Sequence, residues 1–105
     1  WVFTLTDDAK LLCIARTSGK VRWLNQLARY KNENKKKNPI FWTGPVLAAD
    51  RLWIANSEGQ VYSASVADGS VAEFAKLGGG VSLPPVVANG VLYILDDSGK
   101  ITAFR

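Results

Sequence analysis

A pattern that returns at fixed intervals constrains this 105-residue chain more than any single residue does. Residues 52–71, LWIANSEGQVYSASVADGSV, read as a strand, a turn at Ser57-Glu58-Gly59, a second strand, a turn at Ala67-Asp68-Gly69, and the start of a third strand. The first half returns forty residues later, at 92–105, as LYILDDSGKITAFR. A variant, VFTLTDDAKLLCIAR, stands fifty residues earlier at 2–16, followed by its own turn, Thr17-Ser18-Gly19-Lys20. Aligning 44–65 with 84–105 needs no gap and pairs Pro45/Pro85, Val46/Val86, Ala48/Ala88, Leu52/Leu92, Ile54/Ile94 and Gly59/Gly99 as identities. Every one falls at an expected turn or core position, as a repeated structural unit requires.

Trp1 to Thr6 is a β-branched and aromatic run that suits a strand, and no stretch of the first unit has the i, i+3, i+4 apolar spacing of a helix. The pattern predicts three strands over 1–27, four over 44–77 with a tight turn at Asp50-Arg51, and three over 78–105 with a hairpin at Asn89-Gly90. Gly78-Gly79-Gly80 reads as a flexible joint between the last two units. A four-stranded antiparallel unit of about forty residues, repeated, is the signature of propeller blades. A free-standing β-sandwich also has short strands at this spacing but offers no reason for the self-similarity. The fold expected is therefore all-β, about two and a half antiparallel four-stranded blades of a propeller. The unit boundaries are 1–27, 28–43, 44–77 and 78–105.

The stretch 28–43 interrupts the repeat. Arg29, Lys31, Lys35, Lys36 and Lys37 against Glu33 give 29–37 a charge of +4, which is the whole formal net charge of the chain. Asn32, Asn34 and Asn38 complete a polar mix that cannot bury itself, so an exposed loop is expected, returned to the body by Ile40-Phe41-Trp42. One basic segment on a neutral body does not require nucleic acid, and the apolar neighbour Ile40 favours packing over base stacking. The functional reading of Arg29, Lys31, Lys35, Lys36, Lys37 and Trp42 is contact with an acidic protein surface or an anionic membrane. Against it stands the plainer reading of a solvated crossing between units.

The run Thr17-Ser18-Gly19-Lys20-Val21-Arg22-Trp23 resembles the tryptophan-docking motif of the PQQ-type β-propeller repeat family. The resemblance implies that Trp23 packs between neighbouring blades. Glu73 holds the matching place in the middle unit, so docking there is expected to be looser or differently made. Within this family the chain resembles the C-terminal blades of the BamB family of outer-membrane assembly lipoproteins. The residues that carry this are Gly44-Pro45-Val46-Leu47, 56–62, 85–90 and 97–102. The resemblance implies a piece of an eight-bladed ring on the periplasmic face of the outer membrane, a lipoprotein parent and a BamA-like protein partner. A start inside a strand, with no initiator Met, fits a piece of something longer.

Chemistry is scarce. With no histidine, His-based nucleophile activation and His metal ligands are excluded, and one cysteine makes neither a thiolate metal site nor an intrachain disulfide. Cys13, within Leu11-Leu12-Cys13-Ile14-Ala15, reads as a buried strand residue. Asp96-Asp97 are adjacent, so on a strand they face opposite ways, and before Ser98-Gly99 they read as turn residues, as do Asp7-Asp8. Gly78-Gly79-Gly80 lacks the Lys-Ser/Thr of a phosphate loop. No catalytic, cofactor-binding or metal-binding residue is therefore expected, and the chain reads as a non-catalytic protein-interaction scaffold. The competing reading is a piece of a PQQ-dependent quinoprotein dehydrogenase, which shares the repeat, although no ligand set for calcium or quinone can be matched. Strand edges left open at 1–6 and 100–105 are expected to make the chain self-associate.

Overall fold

The computed structural model describes residues 1–32 and 37–104. Among them there is no helix, and twelve strands form four antiparallel sheets. The first sheet is β1 (Val2–Leu5), β2 (Lys10–Ile14) and β3 (Val21–Gln26), in that order. The second is β6 (Trp42–Ala48), β7 (Arg51–Asn56), β8 (Gln60–Ser65) and β9 (Val71–Lys76). The third is β10 (Val86–Ala88), β11 (Val91–Leu95) and β12 (Ile101–Phe104). Between the first two sheets, β4 (Tyr30–Asn32) and β5 (Lys37–Pro39) pair as a two-stranded ribbon. The basic insertion, expected as a loop, is thus a hairpin at its base. Its strands satisfy their backbone groups against each other, which a polar sequence can do without a core.

Sheet stacking follows from register. In β7 the alternation of the pleat sends Leu52 and Ile54 to one face and Trp53 and Ala55 to the other. Leu52, Ile54 and Ala64 bury against Ala9, Leu11 and Leu27, with Phe3, Leu5 and Trp42 packed around them. On the opposite face, Ala55 and Val61 bury against Leu92, Ile94 and Val81, flanked by Trp53 and Phe104. The second sheet is therefore covered on both sides, the first sheet on one face and the third on the other. Cys13 is buried in the first sheet, as its apolar context requires.

Two local departures from the sequence reading have clear causes. Trp42 and Thr43 belong to β6 and not to the insertion, because β6 pairs with β7 from Trp42 onward through an irregularity between Thr43 and Val46. The Gly78–Gly80 joint is also a close approach. A Cβ on Gly80 would stand 2.2 Å from the Ser57 carbonyl oxygen, and the Gly80 carbonyl accepts the Asp97 N–H at 2.8 Å. Next to it the Val81 N–H donates to the Asn56 carbonyl at 2.9 Å. Glycine is needed there so that two turns can meet, a use distinct from flexibility.

Among the described residues no strand pairs with the outer edge of β1 or of β12. Unpaired edges seek partners. Sedimentation of the purified chain at rising concentration should show reversible association, and a single monomeric species up to the millimolar range would refute it.

Candidate interaction surface

The first contact between sheets centres on Trp23. Its indole N–H donates to the Val66 carbonyl at 3.0 Å, and its ring lies over Gly69 so closely that a Cβ there would sit 2.4 Å from the ring. The Asn25 amide donates to the Gly69 carbonyl at 2.7 Å, and Phe3 meets the Trp23 ring at 6.2 Å. β3 is thereby tied to the turn after β8 by two hydrogen bonds and by the Trp23 ring on Gly69, with Phe3 bracing the ring from its own sheet. Each such hydrogen bond is worth about 0.5–1.5 kcal/mol net.

Glu73 does not take the equivalent place, and the strand register explains why. The β2–β3 pairing absorbs its extra residue at Arg22, so Trp23 stands opposite buried Cys13. In β8–β9 the extra residue is Phe74, so Glu73 stands opposite Tyr62, whose hydroxyl lies 3.5 Å from its carboxylate. Burial raises the Tyr62 pKa, and the Glu73 charge adds to the rise. The aromatic contact toward the third sheet falls to Phe74 instead, edge-on to Trp53 at 4.9 Å and to Phe104 at 5.2 Å. Sequence alignment could not show this, because moving a bulge by two residues leaves the alignment ungapped.

A second device recurs at the β1–β2, β7–β8 and β11–β12 turns. Thr6, Asn56 and Asp96 occupy the same place in the three units. The side-chain oxygen of Thr6 accepts the Lys10 N–H at 3.1 Å. That of Asn56 accepts the N–H groups of Glu58 and Gln60 at 3.0 Å each. That of Asp96 accepts those of Ser98 and Lys100, also at 3.0 Å. Asp96 and Asp97 have different partners, for Asp97 accepts the Ser82 hydroxyl. The Ser98 hydroxyl and then the Lys100 N–H hold the Asp96 carboxyl below the usual carboxylate range. Among the described residues no group of three or more His, Cys, Asp or Glu side chains could hold a metal ion.

The basic hairpin stands beside the second sheet. Arg29 lies over the Tyr30 ring at 5.5 Å, and Lys31 reaches Glu58 at 3.4 Å while its side chain stays largely exposed. Lys37 opens β5, whereas Lys35 and Lys36 lie outside the described residues. The return of the chain is anchored by Trp42. Its indole N–H donates to the Ala28 carbonyl at 2.7 Å, and its ring packs on Tyr62 at 5.5 Å. Trp42 therefore closes the base of the hairpin as well as bordering any surface there. Phe41 is the residue that protrudes, 69% exposed, with its backbone tied to Ser57 through both N–H and carbonyl. An exposed phenylalanine beside a basic hairpin makes Phe41 the apolar component of the candidate surface.

Two outcomes follow. Asp96 is depressed in the folded state, so its contribution is full above the unfolded value near 4 and is lost as pH falls through its lower folded value. Asp96→Asn, which reproduces the Asn56 turn, should be less stable than the parent at pH 6. The gap should narrow in thermal unfolding as the pH is lowered from 6 and Asp96 becomes protonated. Gly69→Ala and Gly90→Ala both place a side chain at positive φ, at +77° and +74°, a cost of about 1–2 kcal/mol. Only the first also displaces Trp23, since nothing lies within 4 Å at Gly90. In urea unfolding Gly69→Ala should therefore lose clearly more stability than Gly90→Ala.

No protein-family model matches the chain. Over 105 residues, 99% of its length, the chain is 31% identical to the outer membrane protein assembly factor BamB of Moranella endobia (strain PCIT). The chain spans 27% of the length of that protein, so the similarity joins it to about a quarter of a BamB.

Proposed function

We propose that this chain is a non-catalytic segment of a β-propeller scaffold that mediates protein–protein contact in the assembly of outer-membrane β-barrel proteins. The similarity to an outer membrane protein assembly factor across the whole chain is the observation that carries the reading. The three stacked antiparallel sheets and the forty- to fifty-residue repeat support it, since stacked units of this kind make rigid surfaces with little chemistry of their own. On this reading the sheets are about two and a half blades of an eight-bladed ring at the periplasmic face of the outer membrane, in a lipoprotein parent. Trp23 is the blade-docking residue. The partner is BamA-like, and the contact surface is the basic hairpin with Arg29, Lys31, Lys35, Lys36 and Lys37, bordered by Trp42. Anionic headgroups are a second surface for the same lysines.

The test is association with the periplasmic domain of a BamA-type protein, followed by surface plasmon resonance at several salt concentrations. Saturable binding is expected. Reversing Lys31, Lys35, Lys36 and Lys37 to Glu should cut the association rate roughly tenfold and flatten its salt dependence, because exposed charges act mainly through steering. No binding at all would overturn the assembly role, whereas binding indifferent to charge reversal would move the contact elsewhere on the sheets.

A further inference from the structure

The chain passes from the first sheet to the second and from the second to the third, and the two crossings differ at one point. The later crossing lies against the turns on both sides of it. The Gly80 carbonyl accepts the Asp97 N–H at 2.8 Å, and the Val81 N–H donates to the Asn56 carbonyl at 2.9 Å. The Val81 side chain, 1% exposed, packs in one cluster with Ala55 and Val61. At the earlier crossing Phe41 takes the part of Gly80, since its carbonyl accepts the Ser57 N–H at 2.8 Å. Among the described residues nothing takes the part of Val81. Trp42, the next residue, turns its indole N–H to the Ala28 carbonyl and its ring to Tyr62. The Thr6 carbonyl accepts the Ala9 N–H, as the Asn56 carbonyl accepts that of Gly59, but it receives no second N–H among the described residues. A hollow of about 200 Å³ remains there, walled by Leu5, Thr6, Ala9, Ile40, Phe41 and Thr43.

The residue types explain the difference. A Cβ on Gly80 would stand 2.2 Å from the Ser57 carbonyl oxygen, and one on Gly59 would stand 2.8 Å from the Gly79 carbonyl oxygen. Phe41 and Ala9 hold those two places at the earlier crossing, and both carry side chains. Phe41 accordingly projects outward, 69% exposed, beside a contact that the first and second sheets have already made. A further sheet on the stack covers outer faces such as those of Val86 and Ile101 and leaves Phe41 in water.

We propose that the hollow beside Phe41 receives a segment of a partner protein in which a small residue and a branched aliphatic one stand among acidic residues. Gly80-Val81 shows how this place is filled at the later crossing. An aliphatic side chain covers Leu5 and Ala9, and its backbone N–H reaches the second lone pair of the Thr6 carbonyl. An aliphatic molecule with no backbone leaves that carbonyl bare. The acidic residues follow from charge. The neighbouring segment 29–37 carries +4, whereas Asp7 borders the hollow and repels a carboxylate from it. The hollow therefore takes an uncharged side chain, and the partner's carboxylates lie toward the hairpin. Phe41, fixed by the Ser57 hydroxyl and N–H, is the anchor of the contact. Aromatic residues of this kind dominate interface cores. The inference rests on the hairpin contact proposed above and adds what the partner brings to it.

The probe is the acetylated hexapeptide EEGVSE, the chain's own 80–82 sequence set among glutamates, titrated against the isotope-labelled chain by NMR. Saturating shifts are expected at the amides of 6–9 and 41–43. Methylating the valine nitrogen, which removes the donor for the Thr6 carbonyl, should weaken binding about tenfold. Phe41→Ala should weaken it by a similar factor, about tenfold, while thermal unfolding stays unchanged because the ring is mostly in water. Exchanging the glutamates for glutamines should weaken binding and flatten its salt dependence. Absence of saturation up to millimolar peptide overturns the proposal, and so does undiminished binding of the methylated peptide or undiminished binding to Phe41→Ala. Binding indifferent to the glutamine exchange overturns the acidic character of the partner. The periplasmic domain of a BamA-type protein separates the two readings. If it binds the parent chain and Phe41→Ala alike, the assembly role stands and this inference falls. If the peptide binds as described and that domain does not, the inference stands and the assembly role falls.

Discussion

The central strand of the second sheet is buried on both faces, and most of the architecture depends on that. A sheet with one apolar face can rest against a helix or a second sheet and turn its other side to water. β7 cannot, because Leu52 and Ile54 point one way and Trp53 and Ala55 the other, and Ile54 and Ala55 have no exposure at all. Such a sheet needs a neighbour on each side. If its neighbours are built to the same pattern, they need neighbours too. The first sheet accordingly leaves Val2 and Leu24 substantially exposed on its far face, and the third leaves Val86, Leu95 and Ile101. The stack therefore behaves as a one-dimensional array in which each unit is stabilised mainly by the next.

Apolar stacking alone does not fix how far one sheet slides along another, because carbon contacts are weakly directional. The turns supply that direction. Trp23 and Asn25 bind carbonyls of Val66 and Gly69, and the backbone around Gly80 and Val81 binds Asp97 and Asn56. Asn56 serves both ends of this arrangement. Its side chain closes its own turn while its carbonyl receives the chain leading into the third sheet. A buried amide left unpaired costs about 1–3 kcal/mol, so a fully buried Asn56 can persist only with such partners. Register between sheets is thus set by polar groups at the turns, and adhesion by the apolar strands.

How much of this was legible in the residues depends on the scale of the question. Strand count and order in each unit could be read, because Gly19, Gly59, Gly69 and Gly99 mark turns with positive φ and the runs between them are rich in apolar and β-branched residues. The pairing of β4 with β5 could not be read, since Tyr30, Lys31 and Asn32 carry no alternating apolar pattern and their pairing is a matter of backbone hydrogen bonds. The switch from Glu73 to Phe74 was equally hidden. Position 73 aligned cleanly with Trp23, yet a bulge placed two residues further along reassigned the inward-facing side chain. Of the candidate surface, the charges were plain from composition. The protrusion of Phe41 and the burial of one side of Trp42 needed coordinates, because adjacent aromatics in a sequence give no sign of which will find the core.

The division of labour in the molecule also follows from these constraints. Side chains in the sheets are committed to two-sided packing, and the turn carboxylates Asp8, Asp68 and Asp96 are committed to neighbouring hydroxyl and N–H groups that hold their pKa values down. A group so occupied is poorly placed to act on a substrate, whose chemistry would have to compete with the fold for the same oxygen. Exposed apolar surface lies elsewhere, at Phe41 beside the basic segment and in the cavity between the second and third sheets. Both features offer contact. Sheets committed to two-sided packing present those contacts in a fixed geometry, since a recognition surface loses less entropy on binding when its scaffold is already ordered.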